Sequence, residues 1–473
     1  MTNQRTLIRA LGIGGVIVVV VTNILGSGVY KKIAPMAAEL NSPNWILLAW
    51  VAAGIITLFG ALGNAEIAGL LADTGGEYVY IKKIYNRFIA FLYGWSLFSV
   101  IQSATIASVA YVFAQSLNNI IPLPEVFSSL NHYSVAGIFF PFHEFKIKLT
   151  AIILIVVLTI LNLSGLKTSA GLNKIIMFLI IAGLLTIIVA GLGNSVSSSG
   201  QTNFILQNRN NTITLSSFFA AMLAAFWAYQ GWVSVGFIGG EVKNPNKNLP
   251  RGIILGVFII ITIYLVINYT YLSILPVSEL VQINDSGYQI VAVEAIRSIW
   301  GKGGAVFISL LIVVTTFTCT NASVLTGARP YYAMARDKLF FPAVGKLNKN
   351  HVPGVSLLCQ GVWSSLLVLS GNFDQLTDML VFTVFIFYGA IALGVFILRY
   401  KMPNTHRPYK VWGYPVVPAI FILFCIGLFF NTILARPREA AIGLSLMLSG
   451  IPVYYYLKRL YSRFKQSDTE ISQ

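Results

Sequence analysis

Gly26-Ser27-Gly28 falls inside the apolar run Val-Val-Val-Val-Thr-Asn-Ile-Leu-Gly-Ser-Gly-Val-Tyr, where each glycine costs a helix about 1 kcal/mol relative to alanine. Small residues at such a place either serve close helix packing or mark a helix that stops and restarts. In the second case the backbone N–H groups of Ser27 and Gly28 open an outer half-helix unpaired and, with the helix dipole, attract an anion. A second interruption is Phe-Trp-Ala-Tyr-Gln-Gly-Trp at 226–232, which puts Gln230 and Gly231 among large aromatics. Free N–H groups after the first break suit a carboxylate, and orphan carbonyls at the ends of the preceding half-helices suit an ammonium group. A zwitterionic α-amino acid carries both. Its side chain would project toward Trp227, Tyr229 and the third apolar run, surroundings that favour an uncharged side chain.

The elements that must position these residues follow from composition. Of 473 residues 10% are charged and 56% hydrophobic, against about 25% charge in a soluble domain. Thirteen charge-free runs reach 18 residues or more, close to the roughly 20 apolar residues a helix needs to cross hydrocarbon. One of them, Val126 to His143, holds Ser128, Ser129, Asn131, His132, Ser134, Pro141 and His143 and reads as a loop with an interfacial turn. Twelve spans remain, near 12–39, 43–70, 88–117, 147–166, 169–192, 214–241, 251–275, 303–335, 353–371, 378–399, 413–435 and 440–460. No polar stretch is long enough for a soluble domain, so the chain, 1–473, reads as one membrane domain. Spans one and six run in opposite directions, and interrupted helices at matching positions fit an inverted repeat with a central substrate site.

Assigning alternate loops to one face collects 23 of the 32 Lys and Arg residues there, including Lys82, Lys83, Arg87, Lys243, Lys247, Arg251, Arg336, Lys338, Arg399, Lys401 and Arg407. That bias places both termini in the cytoplasm and accounts for the +16 net charge without a nucleic-acid partner. The opposite face receives the long polar connections 118–146 and 192–213. Although Arg5 and Arg9 precede the first span, no small-residue cleavage site follows it before Lys31-Lys32, so it reads as retained. Glu66, near the inner end of span two, and Glu241, ending span six, are read as pairing with interfacial Lys or Arg in preference to proton coupling. Lys174 can snorkel from the start of span five. Cys319, Cys359 and Cys425 lack ligand spacing, and His132, His143, His351 and His406 lie in loops on two faces, so neither a metal, a cofactor nor a catalytic histidine is expected.

Four blocks now carry a resemblance: Asn23-Ile24-Leu25-Gly26-Ser27-Gly28-Val29-Tyr30; Gly75-Gly76-Glu77-Tyr78-Val79-Tyr80; Trp227 to Trp232 with Glu241-Val242-Lys243-Asn244-Pro245 through Leu249-Pro250-Arg251; and Leu398-Arg399-Tyr400-Lys401-Met402-Pro403 through Arg407-Pro408-Tyr409-Lys410 to Gly413-Tyr414-Pro415. The chain resembles the amino acid/polyamine/organocation superfamily, most closely its L-amino acid transporter branch and bacterial relatives. The resemblance implies an all-α, LeuT-like membrane fold. Two inverted five-helix repeats, about 12–192 and 214–399, would be followed by extra helices at about 413–460. It further implies that the amides of Ser27 and Gly28 hold a substrate carboxylate and the carbonyls of Ile24, Trp227 and Gln230 its amino group. Trp227 would be an aromatic lid, Asn23, Gly26 and Gly231 mark the unwound stretches, and Glu66, Tyr229, Trp232 and Glu241 are candidates for coupling or gating.

Two departures bear on substrate and coupling. A lysine that stands in for sodium in many relatives is replaced: counting from Lys167 lands on Ile180. Thr315, Thr316, Thr318 and Ser323 in span eight then become candidate sodium oxygens, unless these hydroxyls bond their own helix. The polar selectivity residue of relatives after the second tryptophan is here Val233, which argues against cationic substrates. Connection 118–146 also lacks the cysteine by which animal members tether a glycoprotein, so no disulfide-linked heavy chain is expected. The expected function is secondary transport or exchange of neutral L-amino acids across the cytoplasmic membrane, with lipid and the substrate as partners. A cationic amino acid or polyamine transporter of the same fold is the alternative. A membrane-embedded enzyme is remote, because no acid, base and nucleophile gather at one depth.

Overall fold

The computed structural model describes residues 11–71, 76–131, 133–135, 139–165, 170–197, 213–233, 242–287 and 289–470, with 128, 170–177, 194–197 and 463–470 described by backbone alone. Their regular structure is helical: α1 Ile13–Ile24, α2 Gly28–Lys31, α3 Ile33–Leu40, α4 Pro43–Leu70, α5 Gly76–Ile84, α6 Arg87–Ser96, α7 Gln102–Ile120, α8 Phe145–Leu163, α9 Ala170–Ser197, α10 Leu215–Tyr229, α11 Pro245–Ile274, α12 Val277–Ser286, α13 Val291–Arg336, α14 Gly354–Ser370, α15 Phe373–Lys401, α16 Val416–Ala435, α17 Pro437–Leu448 and α18 Gly450–Glu470. Eight helical stretches among the described residues are long and apolar enough to cross a membrane, and Ile13–Ile24, Phe178–Gly193, Leu215–Tyr229 and Gly354–Ser370 are shorter apolar helices.

Helix starts follow local chemistry. Asn86 accepts from the amides of Phe88 and Ile89 at 2.9 and 3.0 Å and starts α6. Asn372 and Gln375 form a reciprocal capping box at the start of α15, at 2.9 and 3.0 Å, satisfying two donors that a helix start leaves orphaned. Proline occupies the first turn of α4, α11 and α17, where its missing N–H costs nothing. Between α6 and α7 a π turn, Leu97–Ile101, interrupts the third span. Side chains satisfy the backbone groups it frees: Ser103 donates to Phe98 O at 2.6 Å, Tyr331 to Leu97 O at 3.2 Å and Trp363 to Ser99 O at 2.8 Å.

Several limits differ from the sequence reading for physical reasons. Span one is three pieces, α1 to α3. The helix of span six breaks at Tyr229, and residues 234–241 lie outside the described residues. Span eight belongs to a longer helical stretch starting at Val291, bent where Gly301 takes φ +64°, so 291–300 forms a separate arm. Span twelve is divided at Ser449 between α17 and α18. The run Val126–His143 holds a short 3-10 turn and a Val135–Phe139 bridge. Helices α1 and α11 approach closely because Gly252 and Gly256 present no side chain: a Cβ there would lie 2.3 Å from Val16 and 2.6 Å from Val20, the small-residue contact expected between membrane helices.

Candidate functional site

Both interruptions read from the sequence are breaks in the backbone. α1 ends at Ile24, Leu25 turns extended (φ −68°, ψ 91°), and α2 restarts at Gly28. α10 ends at Tyr229, Gln230 is extended (φ −65°, ψ 143°), and Gly231 takes φ +118°. The two breaks lie against each other. A Cβ on Gly231 would sit 2.5 Å from the Asn23 carbonyl oxygen, and one on Gly28 would sit 2.6 Å from Ala228 Cα. Only glycine fits at 231, because the conformation and the approach both exclude a side chain.

The carbonyls near the breaks are partly occupied. Tyr264, on α11, directs its hydroxyl at Ile24 O (3.0 Å) and Ala228 O (2.7 Å), bridging the two breaks. Trp227 O accepts from the Gln230 amide at 3.1 Å. A carbonyl has two lone pairs, so each keeps acceptor capacity. The Gln230 side chain donates from Nε2 to the Tyr388 hydroxyl at 2.8 Å, and Trp232 packs on the Tyr388 ring with centroids 5.0 Å apart. Tyr229 donates to Trp50 O at 3.3 Å and packs among Trp50 and Tyr264. Ser27 is buried, and its hydroxyl has no hydrogen-bond partner. Trp227 and Val233 are buried as well.

The chain just past the first break carries charge that the sequence reading passed over. Lys32 is 0% exposed. Its ammonium donates to Asp374 Oδ1 at 2.7 Å and Thr377 Oγ1 at 2.6 Å, with Asp378 at 3.8 Å. Lys31 donates to Gln115 Oε1 at 2.9 Å and Gly287 O at 3.2 Å. Phe373 lies between these cations and Trp227: both ammonium groups sit over its ring, at 5.1 and 4.8 Å, and the ring meets Trp227 edge-on at 6.1 Å. Arg436 extends the cluster to Glu39 and Asp378. A signal existed, since two lysines inside the limits of an apolar span are rare enough to demand partners. Tyr264 gave none, because a tyrosine on an apolar helix reads as core.

The remaining candidates are distributed as follows. Glu66 accepts from Arg399 Nε and Nη2 at 3.0 and 2.7 Å and from the Val411 amide at 2.7 Å, and pairs with Arg407 at 3.2 Å. This is the interfacial pairing geometry. Glu241 lies outside the described residues, as do Gly75, Lys167 and His132, and the side chain of Lys174 is not described. Ile180 is buried in the apolar core. Thr315, Thr316 and Thr318 each donate to the carbonyl four residues earlier, at 2.7, 2.6 and 2.9 Å. Among the described residues, no three His, Cys, Asp or Glu side chains gather as metal ligands.

The chain is 30% identical over 462 residues to the serine/threonine exchanger SteT of Bacillus subtilis (strain 168), covering 97% of this chain and 99% of that protein. It is 26% identical to the human cystine/glutamate transporter (96% and 85% covered) and 27% identical to the mouse large neutral amino acids transporter small subunit 2 (98% and 85% covered). The family model described as amino acid permease matches residues 11–456. The chain belongs to the amino acid permease family.

Proposed function

We propose that the protein exchanges small or medium neutral L-amino acids across the cytoplasmic membrane by alternating access. The observation that carries this reading is the pair of opposed helix breaks held together at Gly231 and Gly28. They create the only kind of irregular backbone a membrane tolerates, one that is buried in protein or lines a cavity. The amides of Ser27 and Gly28 hold the carboxylate, and the free lone pairs of the Ile24, Trp227 and Gln230 carbonyls hold the ammonium group. Trp227, backed by Phe373, closes the outer side. The apolar Val233 leaves a cationic side chain without a counter-charge. Serine and threonine, the substrates printed in the name of the Bacillus relative, are the leading candidates.

Among the described residues, eight long and four shorter apolar helices support a reading with twelve spans. Two inverted five-helix repeats and two further helices, with both termini in the cytoplasm, are the architecture this supports. The three cysteines all fall within helices, and connection 118–146 has none, so the protein works without a disulfide-linked partner. The test is proteoliposome uptake of a panel of radiolabelled amino acids, with and without internal substrate. Internal neutral amino acid should accelerate uptake of external serine, threonine or alanine. Uptake indifferent to internal substrate, or normal uptake by a Gly28→Leu protein, would overturn the reading.

A further inference from the structure

Glu77 stands on α5, the connecting helix between the second and third spans, and is 2% exposed. Its Oε2 accepts a hydrogen bond from the Tyr93 hydroxyl of α6, whereas Oε1 is buried with no partner. The charged groups on the elements around it are committed elsewhere. On α5 itself, Lys82 pairs with Asp337 at 2.6 Å, and Tyr78 donates to the same carboxylate at 3.0 Å. From α6, Arg87 donates to Asp337 O at 2.8 Å. From α4, Glu66 is held by Arg399 and Arg407, and from α15, Lys401 caps the end of α5 at Ile84 O, 3.0 Å away. Lys83 has a contact of its own, and the other neighbours are neutral tyrosines: Tyr388 of α15, and Tyr331 of α13 on the far side of Tyr93. Among the described residues no cation forms an ion pair with Glu77.

A buried carboxylate without a cation is resolved by taking up a proton, and burial pushes this carboxyl up to about 7 against the opposing Tyr93 hydrogen bond. The location connects that proton with the site. The Tyr93 ring meets Phe387 edge-on at 5.1 Å, and the next residue, Tyr388, is within electrostatic reach of Glu77 and holds Gln230 of the sixth-span break. We propose that Glu77 is a proton-binding site of the transport cycle. Its carboxylic acid form is kept while α5 is packed against α6 and α15, and its proton passes to water on the N-terminal face when that packing opens. The bond broken is Glu77 O–H, leaving the carboxylate, and the proton is carried off as hydronium. Packing and protonation are therefore linked: the packed arrangement is favoured at acid pH and loses that support as pH rises from the ordinary carboxylate range toward about 7. This rests on the exchanger reading above.

The experiment is the initial rate of serine exchange in proteoliposomes as the pH on the N-terminal face is stepped through 7. Carboxyl infrared difference spectra of the same purified protein are recorded alongside. The wild-type rate should change several-fold along a single titration, and a protonated-carboxyl band should disappear over the same range. Glu77→Gln should fix the rate at its acid-side value and abolish the band. Should Glu77→Gln fail to fold, Tyr93→Phe serves: losing the donor to Oε2 must move the midpoint upward. A wild-type pH curve in Glu77→Gln or an unmoved midpoint in Tyr93→Phe would overturn the proposal. Absence of amino acid exchange at every pH, with the Glu77 band still titrating, would instead overturn the exchanger reading.

Discussion

Replacing Asp374 by asparagine should be among the most damaging single changes around the first break, and its size can be worked from the Lys32 surroundings. At 2.7 Å and an effective dielectric near 20, the pair attracts by about 6 kcal/mol before desolvation. Lys32 has no exposed surface, whereas the Asp374 side chain keeps 30% of its own. Asp374→Asn strands the ammonium. Thr377, Asp378 at 3.8 Å and the Phe373 face remain, so the loss should fall near the lower end of the roughly 3–5 kcal/mol seen when one partner of a buried pair is removed. Lys32→Met leaves a carboxylate that reaches water and should cost less. Lys32→Met/Asp374→Asn removes the stranded charge altogether and should be more stable than Asp374→Asn alone. Thermal inactivation of the four purified proteins in detergent, analysed as a double-mutant cycle, measures the coupling. If the double variant is no more stable than Asp374→Asn, the cation is solvated in some way that its burial excludes, and the reasoning fails.

Three further outcomes are expected. Tyr264→Phe removes the donor shared by Ile24 O and Ala228 O and should cost about 1–3 kcal/mol, with reduced exchange at normal expression; unchanged melting and uptake would mean that the bridge carries no weight. Arginine, lysine and glutamate should compete with radiolabelled serine far less well than alanine or threonine. Beside the buried Val233 a charged side chain goes unpaired, and arginine outcompeting alanine would reverse the substrate assignment. Replacing sodium by choline should leave uptake unchanged in the wild type and in Ile180→Lys, because Thr315, Thr316 and Thr318 are already bonded to their own helix; sodium stimulation lost on introducing the lysine would reinstate a sodium site.

Both breaks could be read before any coordinates because their glycines sit where a continuous helix has no use for them. The reading also reached Glu66, whose acid in an apolar span must meet the basic residues of the same interface. It missed what depends on distant strands of chain. Lys31 and Lys32 look like the end of an apolar run until α3 is seen to continue past them and α15 to bring Asp374 alongside. Tyr264 and Tyr388 differ from other aromatics only through the carbonyl and amide that meet their hydroxyls. Glu77 was visible within a motif, but its burial depends on α6 and α15 closing over it. The bend at Gly301 was hidden because 291–300 is itself helical.

The first broken helix is held at more than the glycines. The Lys243 amide donates to Leu11 O at 2.7 Å near the start of α1, Gly231 rests on Asn23, and Gly28 rests on Ala228. Two close approaches between the broken segments, with the start of α1 also tied to the chain entering α11, restrain the two breaks from sliding past each other. Whatever rearrangement admits or releases a substrate must turn the pair as a single lever against its neighbours, and the Lys32–Asp374 contact on α15 is a joint that such a turn would have to break. Spin labels placed on α1 and α10 should therefore keep their separation across conditions that change the distance from either helix to α15.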